Sequence, residues 1–172
     1  LANGQWELVS TSQGTRGLAG AAGVSRNERS VLRWVDGRVE VVSYQMDMRA
    51  AWTSRSQSLA VDAVRRKVTS TSRDQTYSLA FEPGMVDRHS VTLAIMADLA
   101  AGVRAPLEYA VADRRETDQH RYKVGANVRL GTALGTQPAL RIERVRDDDS
   151  GRRTKLWFAK DKGWLPLRIK QY

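Results

Sequence analysis

Cysteine is absent from the 172 residues, which excludes disulfides, thiol nucleophiles and thiolate metal sites. Histidine occurs twice, as His89 and His120, so imidazole-based catalysis has few places to reside. No apolar run approaches the roughly 20 residues of a membrane-spanning helix. No serine lies in the G-x-S-x-G elbow of an α/β-hydrolase nucleophile. No block of about five like charges marks a disordered arm. Aromatic residues make up 7% of the chain, which leaves no excess for base-stacking platforms. Lysine is scarce among the cations, at six of the 28 basic residues.

What remains is an ordinary globular composition. The hydrophobic fraction is 41% with 13 glycines, and a chain of this length suits a single domain, residues 1–172. Such a domain buries about 70% of its unfolded surface and needs no metal or disulfide to fold. The net charge is +9, from 28 basic and 19 acidic residues. It is spread along the chain: residues 1–86 carry 11 basic and 8 acidic groups, and residues 87–172 carry 17 and 11. Arginine-heavy residue usage accounts for it, with a polyanionic partner as the second explanation. The opening "LANGQWELV" has no initiator Met, and the expectation is an exported chain whose leader has been removed.

Period-two alternation dominates. The strand candidates are 5–10, 29–35, 38–46, 58–64, 66–72, 75–81, 107–113, 120–128, 139–145, 154–159 and 164–171. Asp36-Gly37 between two of them supplies the positive φ values of a tight hairpin turn. The segment "MVDRHSVTLAIMADLAAG" (85–102) breaks the pattern. Val86, Ser90, Leu93, Met96 or Ala97, and Ala100 recur at helical spacing, Asp87 stands at the N-terminus and Gly102 at the C′ position. The prediction is a mainly β fold: a single curved antiparallel sheet or unclosed barrel of about 9–11 strands. One central amphipathic helix near 86–101 serves as its lid.

Three candidate chemistries resolve into structural roles. Asp147–Asp149 are adjacent, whereas calcium loops alternate their ligands and close with a distant Glu, so a turn is expected and no metal. His89 lies two residues from Asp87, a spacing at which helical side chains do not face each other. His120 sits beside Asp118 at an expected hairpin, and surface or capping roles follow for both histidines. "GLAGAAG" (17–23) has no lysine and no helix pattern after it, which makes it a turn rather than a phosphate loop. Basic groups at Arg65-Arg66-Lys67, Arg114-Arg115 and Arg152-Arg153 keep a nucleic-acid surface in view, although no recognition motif accompanies them.

The C-terminal strands are apolar on both faces. Leu156 and Phe158 point one way and Trp157 the other, and Leu165, Leu167 and Ile169 oppose Trp164 and Pro166. A sheet with one face in water alternates more cleanly. Either both faces are covered or one lines a cavity.

The stretch "RIERVRDDDSGRRTKLWFAKDKGWLPLRIKQ" resembles the C-terminal part of a proteobacterial family of unknown function whose members are exported. The matching residues are Arg153, Thr154, Trp157, Phe158, Gly163, Trp164, Leu165, Pro166, Arg168 and Ile169. Asp87 and Ser90 match the start of that family's central helix. More remotely, the family is similar to the lipoprotein-carrier fold of the bacterial envelope, an unclosed barrel with helices over an apolar concavity. The resemblance implies a periplasmic or outer-membrane-associated protein that holds an acyl chain or another apolar ligand, and with no catalytic signature in the sequence the expectation is a non-enzymatic protein without a cofactor. Candidate lining residues are Leu93, Met96, Leu156, Trp157, Phe158 and Trp164. Expected partners are a lipid or other apolar small molecule, another envelope protein, or a membrane surface touched peripherally. Nucleic acid or a lipopolysaccharide head group on the basic surface is the alternative, and a structural or assembly role in the envelope is the third.

Overall fold

The computed structural model describes residues 4–15, 17–146 and 151–172. Two compact units emerge, one from Leu1–Val91 with Ala110–Asp118, the other from Thr92–Tyr109 with Gln119–Tyr172.

The first unit is built on a meander. β1 (Gln5–Gln13), β2 (Ser25–Val35), β3 (Arg38–Ala50), β4 (Thr53–Asp62), β5 (Lys67–Ser72) and β6 (Gln75–Ala80) form an antiparallel sheet in chain order. The turn after β2 has Asp36 at φ 50 and Gly37 at φ 76, and the turn after β5 has Arg73 at φ 50 and Asp74 at φ 63. Two consecutive positive φ values match the right-handed twist of the strands they join. Alternate residues on one face are buried: Leu32, Val39, Val41, Tyr44, Leu59, Val68 and Leu79. Tyr44 pairs with Leu59 and Leu59 with Ser70, while Val61 pairs with Val68 and Val68 with Leu79, so the core runs across the strands as rows. The glycine-rich segment expected to be a turn contains a short helix, α1 (Gly17–Ala21).

A two-residue strand, β7 (Val86–Asp87), pairs in parallel with Val111 and Ala112 of β8 (Leu107–Ala112). The predicted helix therefore starts later than expected: α2 spans Val91–Ala100, and Val86 belongs to a strand. Its buried positions are Val91, Ala94, Ile95 and Leu99, while Leu93 and Met96 are half-buried beside them. The stripe is rotated from the predicted one because the helical phase begins at Val91. Only Thr92 and Asp98 are polar along α2. Gly102 at φ 87 ends it as expected, with Val103 N donating to Asp98 O (2.9 Å) and Gly102 N to Leu99 O (3.1 Å), the paired bonds of a Schellman cap.

The second sheet runs β12-β11-β10-β9-β8-β7 and is mixed: β9 to β12 pair antiparallel, and β7 pairs in parallel with β8. In the second unit lie β10 (Gly135–Val145), β11 (Thr154–Ala159), β12 (Leu165–Gln171) and most of β9 (Thr117–Thr132). Leu140 pairs with Phe158 and Ile142 with Leu156, and all four are buried. The mainly β expectation is met, with twelve strands among the described residues. The number exceeds the predicted range because β7 is too short to carry a periodic signal.

Candidate functional site

The second unit carries a groove, and an irregularity in the sheet makes it. Leu140 pairs with Asn127 but Ile142 pairs with Val124, so Gly125 and Ala126 together oppose Arg141 alone. This is a β-bulge. Without it, Val124 and Asn127, an odd number of residues apart, would point to opposite faces. With it, both line the same depression. Gly125 is required by close approach: a Cβ there would stand 2.9 Å from the Arg141 carbonyl oxygen.

The depression has a volume of about 440 Å³ and is lined by Arg104, Val124, Gly125, Asn127, Leu140, Lys160 and Trp164. A second lobe of about 460 Å³, lined by Asn127, Pro138, Ala139, Leu140, Lys160 and Asp161, shares three of those residues. Arg104 is found in the first lobe alone, Lys160 lines both, and Pro138, Ala139 and Asp161 are particular to the second. A 3₁₀ turn, Lys160–Lys162, leads into Gly163 at φ 64 and Trp164 at φ 61. A left-handed tryptophan is uncommon and strained. It buries the indole to 7% exposure and sets it beneath the Arg104 guanidinium, whose carbon is 5.0 Å from the ring centroid. Arg104 Nη1 also donates to Val103 O (2.7 Å) and Leu99 O (3.3 Å), which fixes the side chain at the end of α2. Among the described residues, Arg104 and Lys160 have no carboxylate partner.

A polar cluster in the first unit has the residue types of a hydrolase site. Ser30 Oγ donates to Asp87 Oδ1 (3.1 Å) and lies 3.0 Å from His89 Nδ1. Asp87 accepts from the His89 amide (2.8 Å), the Ser90 amide (2.9 Å) and Ser90 Oγ (2.8 Å). Ser90 Oγ in turn accepts from Asp87 N at 3.1 Å, a reciprocal capping arrangement at the turn that enters α2. Burial pushes the Asp87 carboxyl above its ordinary range, against the hydrogen bonds that favour the anion. In a nucleophilic triad the acid orients the imidazole, whereas the Asp87 carboxylate bonds the His89 amide and not its ring. Ser30 is fully buried, out of reach of a substrate. The cluster is built as a cap, and the capping role expected for the His89 segment belongs to Asp87.

The residues singled out on sequence are dispersed. Trp164 lines the depression. Leu156 and Phe158 are enclosed in the core, Phe158 with no exposed surface. Trp157 lies on the opposite face, half-buried, with Arg168 at 6.0 Å from its ring. Leu93 and Met96 flank the buried stripe of α2. Asp147–Asp149 lie outside the described residues. His120 is not at a surface hairpin: it lies within β9, buried, with Nδ1 3.3 Å from the Tyr122 hydroxyl. Sequence reasoning missed Arg104, Lys160 and the bulge. The glycine in "KVGANV" is the one signal that pointed to the last.

A family model described as "Protein of unknown function (DUF3108)" matches residues 3–172. No curated protein sequence matches the chain. A crystal structure described as a beta-barrel-like protein of domain of unknown function DUF1849, from Brucella abortus, is similar with a TM-score of 0.50 at 8% identity, over 86% of this chain and 68% of that one. At that identity the likeness is one of fold. With the family model covering nearly its whole length, the chain belongs to the DUF3108 family.

Proposed function

We propose that the groove of the second unit binds an amphipathic anion, an alkyl carboxylate or alkyl phosphate, without transforming it. The observation that carries this is the Arg104 guanidinium held over Trp164 in a groove whose second lobe adds Pro138 and Ala139 beside Leu140, with Asn127, Lys160 and Asp161 at its polar side. Arg104 Nε and Nη2 have no acceptor among the described residues, and a planar guanidinium recognises carboxylate or phosphate through paired donors. Lys160 adds a second cation at the junction of the lobes. The compartment we propose is the bacterial envelope, as the exported-protein resemblance implies, where acyl-bearing anions are abundant.

Calorimetric titration of the full chain with dodecanoate and with dodecanol tests this. The carboxylate binds and the alcohol binds much more weakly. Arg104→Gln and Lys160→Gln each lower dodecanoate affinity about tenfold or more, since a hydrogen bond to a charged group contributes about 1.5–3 kcal/mol. Equal binding of acid and alcohol, or unchanged affinity in both variants, would falsify the proposal.

A further inference from the structure

The opposite face of β9–β12, away from Leu140, Ile142, Leu156 and Phe158, gathers seven of the 28 basic residues of the chain. The register places Lys123 beside Glu143, Glu143 beside Lys155 and Lys155 beside Lys170, in one cross-strand row. Arg141 pairs with Trp157 and Trp157 with Arg168 in the next row. Arg121 pairs with Val145, and Arg153 exchanges backbone hydrogen bonds with Tyr172 at the other end of the face. Seven cations thus surround one carboxylate, a local excess of six in a chain whose net charge is +9.

One feature of this face is costly unless an anion covers it. Lys155 and Lys170 are directly opposite each other, and like charges at opposed cross-strand positions destabilise a sheet. Lys123, Arg141, Arg153, Lys155, Arg168 and Lys170 form no ion pair among the described residues. What holds the cations in place is aromatic. Lys155 Nζ and Lys170 Nζ lie 5.5 and 4.6 Å from the Tyr172 ring centroid, and Arg168 covers Trp157 while donating to Gly131 O at 2.7 Å.

We propose that this face docks on an anionic phospholipid bilayer. A single-stranded nucleic acid fits less well, because such strands stack bases on open aromatic faces, and here the rings of Trp157 and Tyr172 are occupied by cations. The cations also spread over four adjacent strands, about 15 Å across at roughly 4.8 Å per strand, instead of following one track. Val145, 43% exposed, adds apolar surface at the edge of the face. The inference is independent of the groove and of what the groove holds.

Co-sedimentation of the full chain tests it, with vesicles of phosphatidylcholine alone and of phosphatidylcholine with about one third phosphatidylglycerol, at about 0.1 M salt. Binding is expected only to the anionic vesicles. Each lysine near an anionic surface is worth about fivefold in partitioning, so Lys155→Ala with Lys170→Ala lowers it about 25-fold. The same double variant melts no lower than the wild type, because it removes an opposed pair of like charges, and weakened binding then reports on the surface and not on unfolding. Equal partitioning onto both vesicle types, unchanged partitioning of the double variant, or tighter binding of a single-stranded oligonucleotide at the same salt overturns the proposal. A lowered melting temperature overturns the repulsion argument on which it stands.

Discussion

Asp87→Ala deletes an acceptor that receives four hydrogen bonds at a fully buried position. Not all four are lost in the same way. Ser30 Oγ retains His89 Nδ1 at 3.0 Å, and Ser90 Oγ retains the backbone amide of residue 87 at 3.1 Å. The amides of His89 and Ser90 have no such substitute. An orphaned buried donor costs about 1–3 kcal/mol. The His89 amide is part-buried and falls at the low end, the Ser90 amide is buried and falls higher, and the sum is about 3 kcal/mol. For a chain of this length, about 2–4 °C of melting temperature accompanies each kcal/mol, which predicts a drop of about 6–12 °C. Asp87→Asn keeps an oxygen for both amides and loses much less. The pH dependence has a definite sign. Burial raises the Asp87 carboxyl above its unfolded value, so its contribution is fully present below that unfolded value, about 3.9, and is lost as pH rises through the folded one. The deficit of Asp87→Ala against the wild type is therefore largest near about pH 4 and shrinks toward neutrality. Melts followed by far-ultraviolet circular dichroism at the two pH values measure both effects. A deficit below about 2 °C, or one that grows toward neutral pH, refutes the reasoning.

Two further predictions concern single side chains. Gln57 is 4% exposed and its Nε2 has no acceptor among the described residues; Gln57→Leu removes an unsatisfied donor from beside Met46 and Ser72 and raises stability by about 1 kcal/mol in a urea titration. A decrease would show that the amide has a partner in solution. Gly125→Ala brings a methyl to 2.9 Å from the Arg141 carbonyl, which the bulge relieves only by shifting backbone. The expected result is a loss of about 1–3 kcal/mol together with weakened dodecanoate binding, and wild-type values in both measurements would show that the bulge does not shape the groove.

The strands were legible because their signal is local. β11 has the predicted bounds, and the Asp36-Gly37 turn has the φ values that its residue types demand. What escaped depends on partners distant in sequence. β7 is two residues long, and only its pairing with Val111 and Ala112 makes it a strand. The helical phase differs from the predicted one because Val86 and Ser90 precede α2 and fit its spacing by accident, while α2 takes its buried stripe from Val91 onward. Three of the residues proposed to line a cavity, Leu156, Trp157 and Phe158, form one two-faced strand. Burial on one face and a basic layer on the other account for that two-faced pattern. Arg104 was invisible because its neighbours in sequence carry no pattern. Its role arises from Trp164, sixty residues away along the chain and 5.0 Å away in space.

The connectivity of the sheets also bears on how fast the protein folds. Each registered antiparallel pair joins strands that are consecutive in the chain. Hairpins of that kind close short loops and form in microseconds, so the chain can zip from several starting points at once. The parallel pair of Val86 with Val111 and Asp87 with Ala112 is different. It closes a loop that contains all of α2, and that closure entropy is paid before any contact compensates it. The two-residue ladder at β7, a minor detail of the native sheet, is thus the step that should pace folding. Substitutions at Val86 or Val111 will slow refolding, whereas substitutions within the meanders will act mainly on unfolding.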